Sequence, residues 1–245
     1  MITAYHRPKT LDEALTLLAQ PNTLPLGGGA LLSHSTVDPV EAVDLQALGL
    51  DTVNKQGQNL ELGATLTLQS LLESENCPAA LKSALKLEAP LNIRNSATVA
   101  GTIVACDGRS TFVTCLLALD SKLSVISQQS SVIGLGDFLP LRPRGLIVSI
   151  TIPLNVKLAF DYVARTPADK PIVCVALAQW NSGRTRLAVG GYGKSPMLAM
   201  DGSSSDDAAV AARNAFHEAT DEWASAEYRM DVASTLAKRR LESIE

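Results

Sequence analysis

Two glycine-rich segments, Leu26-Gly-Gly-Gly-Ala-Leu-Leu32 and Ile93-Arg-Asn-Ser-Ala-Thr-Val-Ala-Gly-Thr102, lie about seventy residues apart in this chain. Each borders an apolar run, so each reads as a tight backbone turn at the end of an ordered element. Turns of glycine and small residues leave N–H groups bare and let a ligand approach the main chain. That is a way to hold phosphate without a cationic side chain. Two such turns in one chain predict a dinucleotide phosphate held between two lobes. Neither is a dinucleotide fingerprint of the Gly-x-Gly-x-x-Gly kind, and no Gly-Lys-Ser/Thr follows to make a P-loop.

Composition narrows the alternatives. With 245 residues and 46% hydrophobic content the chain can bury one large core or two to three small ones. A net charge of −4 and 4% aromatic residues argue against a nucleic-acid surface. Apolar runs such as Ile172 to Leu177 are too short to span a bilayer, and the N-terminal residues lack the apolar stretch of a signal peptide, so a cytoplasmic protein without a transmembrane segment is expected. The four cysteines (Cys77, Cys106, Cys115, Cys174) form no Cys-x-x-Cys and read as buried, reduced thiols. His6, His34 and His217 are scattered, so no metal site is expected.

Patterning gives the elements. Residues 11–19 form an amphipathic helix with Thr10 as N-cap. Short strands are predicted at Thr23 to Leu26 and Ala42 to Leu45, closing an N-terminal α/β lobe over residues 1–53. A second α+β lobe, 54–158, opens with a strand at Leu60 to Ala64 and helices at 67–73 and 78–88. Strands at Ile103 to Cys106, Leu123 to Ile126 and Leu146 to Ile152 follow, with a helix from Thr111 to Leu119. Residues 159–245 form a small C-terminal domain. It is predicted to hold a three-stranded antiparallel sheet (Ala159 to Ala164, Ile172 to Trp180, Thr185 to Gly190) with a hairpin at Asn181-Ser182-Gly183, then a polar loop at 201–207 and helices at 207–219 and 225–242.

The stretch Ile93 to Thr102, followed by Leu116-Leu-Ala-Leu-Asp120, resembles the FAD-binding subunit of the molybdenum hydroxylases, the xanthine dehydrogenase and carbon monoxide dehydrogenase group. Leu26 to Leu32 is similar to the same family's first glycine loop. Further matches run from Arg7-Pro8 through Val43-Asp44-Leu45, Leu62-Gly63-Ala64, Asp137-Phe138, Ile150 to Pro153, Arg165 and Asp169 to Glu227-Tyr228-Arg229 and Arg239-Arg240-Leu241. The resemblance implies a two-lobed PCMH-type FAD-binding domain with a small C-terminal domain, an α+β fold overall. It implies an oxidoreductase subunit passing electrons from iron–sulfur centres through FAD to NAD or a quinone. The partners it implies are a small 2Fe–2S subunit and a large molybdopterin subunit, since this chain has no cysteine cluster for iron–sulfur ligation.

By the same resemblance Leu26, Gly27, Gly28, Gly29, Ala30 and Leu31 hold the pyrophosphate and ribityl portion, while Ala97, Thr98, Ala100, Gly101 and Thr102 close over the cofactor. Thr111, Ile147 and Asp161 are carried over as further cofactor contacts. No side chain is assigned a catalytic role, because the isoalloxazine does the redox chemistry. Several positions depart from the family pattern. Gly29 and Ala30 stand in place of polar residues, Ala100 in place of glycine, Thr102 in place of Asn, Thr111 in place of Asp, and Asp161 about where some members carry Lys. Each lost side-chain hydrogen bond weakens binding by about 0.5–1.5 kcal/mol. A methyl at Ala100 is expected to crowd the ligand, and a carboxylate at Asp161 to lower the flavin potential. These departures motivate an alternative, a flavin-free scaffold or assembly subunit.

Overall fold

A computed structural model describes residues 1–29, 38–127 and 129–244. The chain opens with β1 (Ile2–His6), α1 (Leu11–Leu18), β2 (Thr23–Leu26) and β3 (Val40–Asp44). The three strands make a parallel sheet in the order β1-β3-β2. Thr10 caps α1 by accepting from the Glu13 amide at 3.3 Å, and Ala14 is its buried residue.

The middle of the chain runs β4 (Val53–Gln56), β5 (Asn59–Gly63), α2 (Leu68–Glu73), α3 (Ala79–Glu88), α4 (Leu91–Arg94), α5 (Val99–Ala105) and α6 (Thr111–Ala118). It continues through β6 (Lys122–Ile126), β7 (Ser130–Gly134), α7 (Leu135–Leu141) and β8 (Leu146–Pro153). Its strands form a five-stranded antiparallel sheet, β4-β5-β8-β6-β7. The side chains of α6 are buried throughout, as the apolar run from Phe112 to Leu119 demands.

The last part holds β9 (Val156–Val163), β10 (Val173–Trp180), β11 (Thr185–Gly190) and β12 (Met197–Gly202), then α8 (Ala208–Asn214) and α9 (Ala226–Ile244). The sheet, β12-β11-β10-β9, is four-stranded, not three-stranded as the sequence predicts. The acidic start of the expected 201–207 loop is the cause. Asp201 lies inside β12, where Arg184 (2.8 Å) and Arg186 bind its carboxylate and Arg184 holds its pKa below the usual range. Ion pairing across the ladder lets an acidic residue occupy a strand. The second departure is α5: Ile103 to Cys106 is not a strand. Thr98 caps this helix through the Gly101 amide (3.2 Å), and Val99 and Ile103, one turn apart, face the core. Tertiary packing outweighs the β-branched preference there.

Three apolar clusters result. The largest joins the five-stranded sheet to α3, α5 and α6 and takes in Ala176, Ala178 and Ala188 from the C-terminal sheet. The opposite face of that sheet, with Val173, Val175 and Leu177, packs on α8 and α9. A strand covered on both faces reads as a continuous apolar run, which is what Ile172 to Ala178 shows. The third cluster is small: Ala14, Val43 and Leu45 close over Leu146 and the flanking Val148 of β8. Among the described residues no helix is long and apolar enough to cross a membrane.

Candidate functional site

The glycine loop leaves the carboxyl end of β2, a parallel strand, and runs against the segment that enters α5. Ends of this kind are where open parallel sheets hold ligands. The contact is main chain on main chain. A Cβ on Gly28 would sit 1.5 Å from the Ser96 carbonyl oxygen, and one on Gly27 would sit 2.8 Å from Thr98 Oγ1. Gly29 has φ +77°, in the left-handed region. Two segments from opposite ends of the N-terminal half thus meet, as the two-turn reading requires. Ala30 and Leu31, also predicted here, lie outside the described residues.

The two segments differ in what they leave free. Among the described residues, the amides of Gly27 and Gly28 meet no acceptor. In the second segment every amide but that of Thr98 is already engaged among the described residues. Ala97 donates to Ile93 O (2.7 Å), Val99 to Leu66 O (2.8 Å), Ala100 to Ala64 O (3.2 Å), Gly101 to Thr98 Oγ1 (3.2 Å) and Thr102 to Thr98 O (2.8 Å). The Thr102 hydroxyl also donates to Thr98 O at 2.8 Å. Residues 97–102, fastened down by the residues leading into α2, thus keep the Thr98 amide as their one main-chain donor without an acceptor among the described residues. Ala100 sits in α5, partly buried and packed against the main core.

Three of the predicted contacts are drawn elsewhere. Thr111 is fully buried; its hydroxyl lies 2.7 Å from Ala84 O and 3.1 Å from Glu88 Oε2. Ile147 is 4% exposed and belongs to the main core, paired with Val125. Asp161 is on the face of β9 that packs on α9, where Arg239 (3.3 Å) and Arg240 (3.4 Å) pair with it. Strand alternation explains this last correction. Tyr162, one residue on, is the residue that faces α6, opposite Cys174 and Thr114. The Asp161 carboxylate is thus paired with two guanidiniums on the α9 side of β9. The remaining predicted residue, Leu26, is the last of β2 and half-buried, and leads directly into the loop.

Glu88 is the residue that sequence reasoning missed. Its carboxylate accepts from Ser110 Oγ (2.9 Å), Thr111 Oγ1 and the Phe112 amide (2.9 Å), so a side chain from α3 fills the donor cluster at the start of α6. Burial pushes its pKa up, against the pull of those hydrogen bonds. The Leu-Glu-Ala setting offers no local signal, because the partners are more than twenty residues away. Gly108 was also missed. Its Cβ would fall 1.8 Å from Tyr192 O, fixing the loop after α5 against the end of β11. The four cysteines are free and buried, as expected, and burial lifts the Cys106 thiol to about 11. No group of three or more potential ligands that could hold a metal occurs among the described residues.

The family model for the FAD binding domain in molybdopterin dehydrogenase matches residues 1–155. The chain belongs to this family. FAD is therefore its cofactor, and it is an oxidoreductase subunit. The uncharacterized protein YgfM of Escherichia coli K12 is 30% identical over 196 residues, covering 78% of this chain and 75% of its own length. The glyceraldehyde dehydrogenase medium chain of Sulfolobus acidocaldarius is 28% identical, covering 81% and 78%. Reconstituted CO dehydrogenase from Oligotropha carboxidovorans shares the fold, with a TM-score of 0.84 at 22% identity over 98% of this chain and 96% of that one. Quinoline 2-oxidoreductase from Pseudomonas putida 86 does so at 0.81 and 21%, covering 98% and 96%.

The family's cofactor suits the first loop. The pyrophosphate of FAD needs donors at fixed positions, and Gly27 and Gly28 present them where a Cβ could not be accommodated.

Proposed function

We propose that this chain is the flavin electron-relay subunit of a molybdopterin-dependent dehydrogenase complex. FAD, when bound, supplies the redox chemistry that would link iron–sulfur centres on a small 2Fe–2S subunit, fed by a large molybdopterin subunit, to NAD or a quinone. The chain's own part is to hold and orient. Leu26 to Leu31 cradle the pyrophosphate through main-chain donors, with Ala97, Thr98, Gly101 and Thr102 as the wall opposite. No side chain is required as acid, base or nucleophile. Residues 1–53 and 54–158 serve as the two lobes of the flavin domain and 159–245 as a third, C-terminal unit, in a cytoplasmic complex.

The observation that carries this reading is the approach of Gly27 and Gly28 to Ser96 and Thr98, beside amides left without acceptors among the described residues. The test is the visible spectrum of the purified chain, with identification of any chromophore released on denaturation. A flavin band with FAD near one equivalent supports the relay. A folded, colourless chain that takes up no added FAD would overturn it in favour of the scaffold alternative. Copurification with molybdopterin and 2Fe–2S chains tests the partners.

A further inference from the structure

Residues 164–171 join β9 to β10, and the neck of that loop is closed. Ile172 donates to Val163 O at 2.8 Å, beside the paired Val163 and Val173. The loop can therefore swing on its neck without disturbing the sheet. Little main-chain bonding stiffens it: among the described residues the Asp169 amide to Thr166 O, at 3.2 Å, is its one internal bond of that kind.

What holds the loop down comes from two distant parts of the chain. From the turn between α5 and α6, Arg109 donates through Nε to Pro171 O (2.9 Å) and through Nη2 to Lys170 O, and the Asp107 carboxylate accepts from Lys170 at 2.8 Å. From the segment before α9, Trp223 offers its ring to two guanidiniums. Arg165 of the loop lies 4.3 Å from the ring centroid and Arg109 of the turn 4.9 Å. One indole thus ties loop and turn together.

Trp223 itself stands on a rigid base. Its amide and that of Ala224 donate to Asp221 Oδ1 (2.8 and 3.1 Å). Asp221 pairs at 2.7 Å with Arg229, a fully buried guanidinium that also donates to Ala224 O and Ile172 O. The loop's ion pairs are weaker holds, because Arg165, paired with Asp169, and Lys170, paired with Asp107, are each about half exposed. Behind the turn, Ser110 and Thr111 are buried and bind the Glu88 carboxylate.

We propose that residues 164–171 form a strap, pinned by Trp223, whose release uncovers the Asp107–Thr111 turn while the rest of the chain stays folded. Lys170 and Pro171 are bonded to that turn, so release admits water to the Glu88 cluster behind it. Neither Trp223 nor Arg109 is among the residues proposed to hold FAD.

Limited trypsin digestion of the full chain, read by mass spectrometry, tests this. Arg165 is the cutting site in the strap, since Pro171 protects Lys170, and Arg213, inside α8, reports general loosening. Cutting follows the open population when reclosing is fast. Trp223→Leu removes both stacking contacts and should speed cutting at Arg165 by about tenfold, and Trp223→Phe, which keeps a ring, by less. Arg109→Met acts from the other side of the contact and should also speed it, which keeps the test open if Trp223→Leu fails to fold. Cutting at Arg213 should stay at the wild-type rate in all three. Hydrogen exchange in the variants that fold should quicken at residues 107–111 and stay unchanged at Thr114 to Ala118 inside α6. Unchanged cutting at Arg165 in both Trp223→Leu and Arg109→Met overturns the proposal. Equal speeding at Arg165 and Arg213 in every variant overturns it too, because the whole chain has then loosened. Faster cutting without faster exchange at residues 107–111 also overturns it, because the strap then covers nothing.

Discussion

The loop at Gly27 and Gly28 and the segment at Ala97 to Thr102 look alike in sequence, yet they differ in how many main-chain donors they leave without an acceptor among the described residues. In the first, Gly27 and Gly28 have no acceptor among the described residues, and their missing side chains allow contact with Ser96 and Thr98. In the second, the amides of Ala97 and of Val99 to Thr102 are spent on Ile93, Leu66, Ala64 and Thr98, and the small residues serve helix packing. Small residues therefore mark two different needs: close approach with open amides, and a helix that must lie flat on a core. Only hydrogen-bond partners tell them apart.

The sharpest way to break this contrast is Gly28→Ala. The new methyl would meet the Ser96 carbonyl, main chain that cannot swing aside, so a loss of about 3 kcal/mol is expected with most of the bound FAD. Chemical denaturation and flavin stoichiometry measure both. Stability and flavin content near wild type would show that the two segments do not meet.

Glu88 offers a third case, a donor cluster the protein fills itself. Glu88→Ala should cost about 2–3 kcal/mol, because Ser110 and the Phe112 amide lose their acceptor. The pH dependence has a definite sign. Burial raises the folded-state pKa above the unfolded value of 4.5, so the folded state binds the proton more tightly. The stability gained is full below 4.5 and is lost as pH rises through the folded value. Relative to Glu88→Gln, the wild-type chain should thus gain stability as pH falls from neutral. Parallel pH profiles for the two would contradict a buried, proton-accepting Glu88.

Smaller effects sharpen the comparison. Ala100→Gly restores the family's glycine, yet Ala100 is a helical residue packed on the core. The change should destabilise by about 1 kcal/mol without tightening FAD, as flavin titration would show. A marked rise in affinity would mean that the methyl faces the ligand. Asp161→Asn should leave the flavin midpoint potential where it is and change stability by about 1 kcal/mol or less, since the paired arginines are partly exposed. A clear upward shift in potential would return Asp161 to the flavin edge.

Much of the fold was legible because local chemistry and period agree with it. Thr10 before an amphipathic stretch gives α1, the alternating or apolar runs give β5, β6, β8, β10 and β11, and Asn181-Ser182-Gly183 gives the turn where Gly183 takes φ +89°. The misreadings share a cause. Ile103 to Cys106 carries β-branched residues and looks like a strand, but Thr98 and the carbonyls of Ala64 and Leu66 supply a helix start from outside the window. Asp201 looks like loop until Arg184 and Arg186 are brought alongside it.

By itself, the sequence determined the order and type of most elements, the buried cysteines and the glycine-rich turn that ends β2. Those depend on backbone propensity and burial, which neighbouring residues encode. The tertiary structure alone decided which amides remain open, that Thr111 and Ile147 turn into the core, that Asp161 faces α9, and that Glu88 occupies the start of α6. Each is set by partners twenty or more residues away, and a hydrogen bond or a strand face acquires meaning only when the partner is in place.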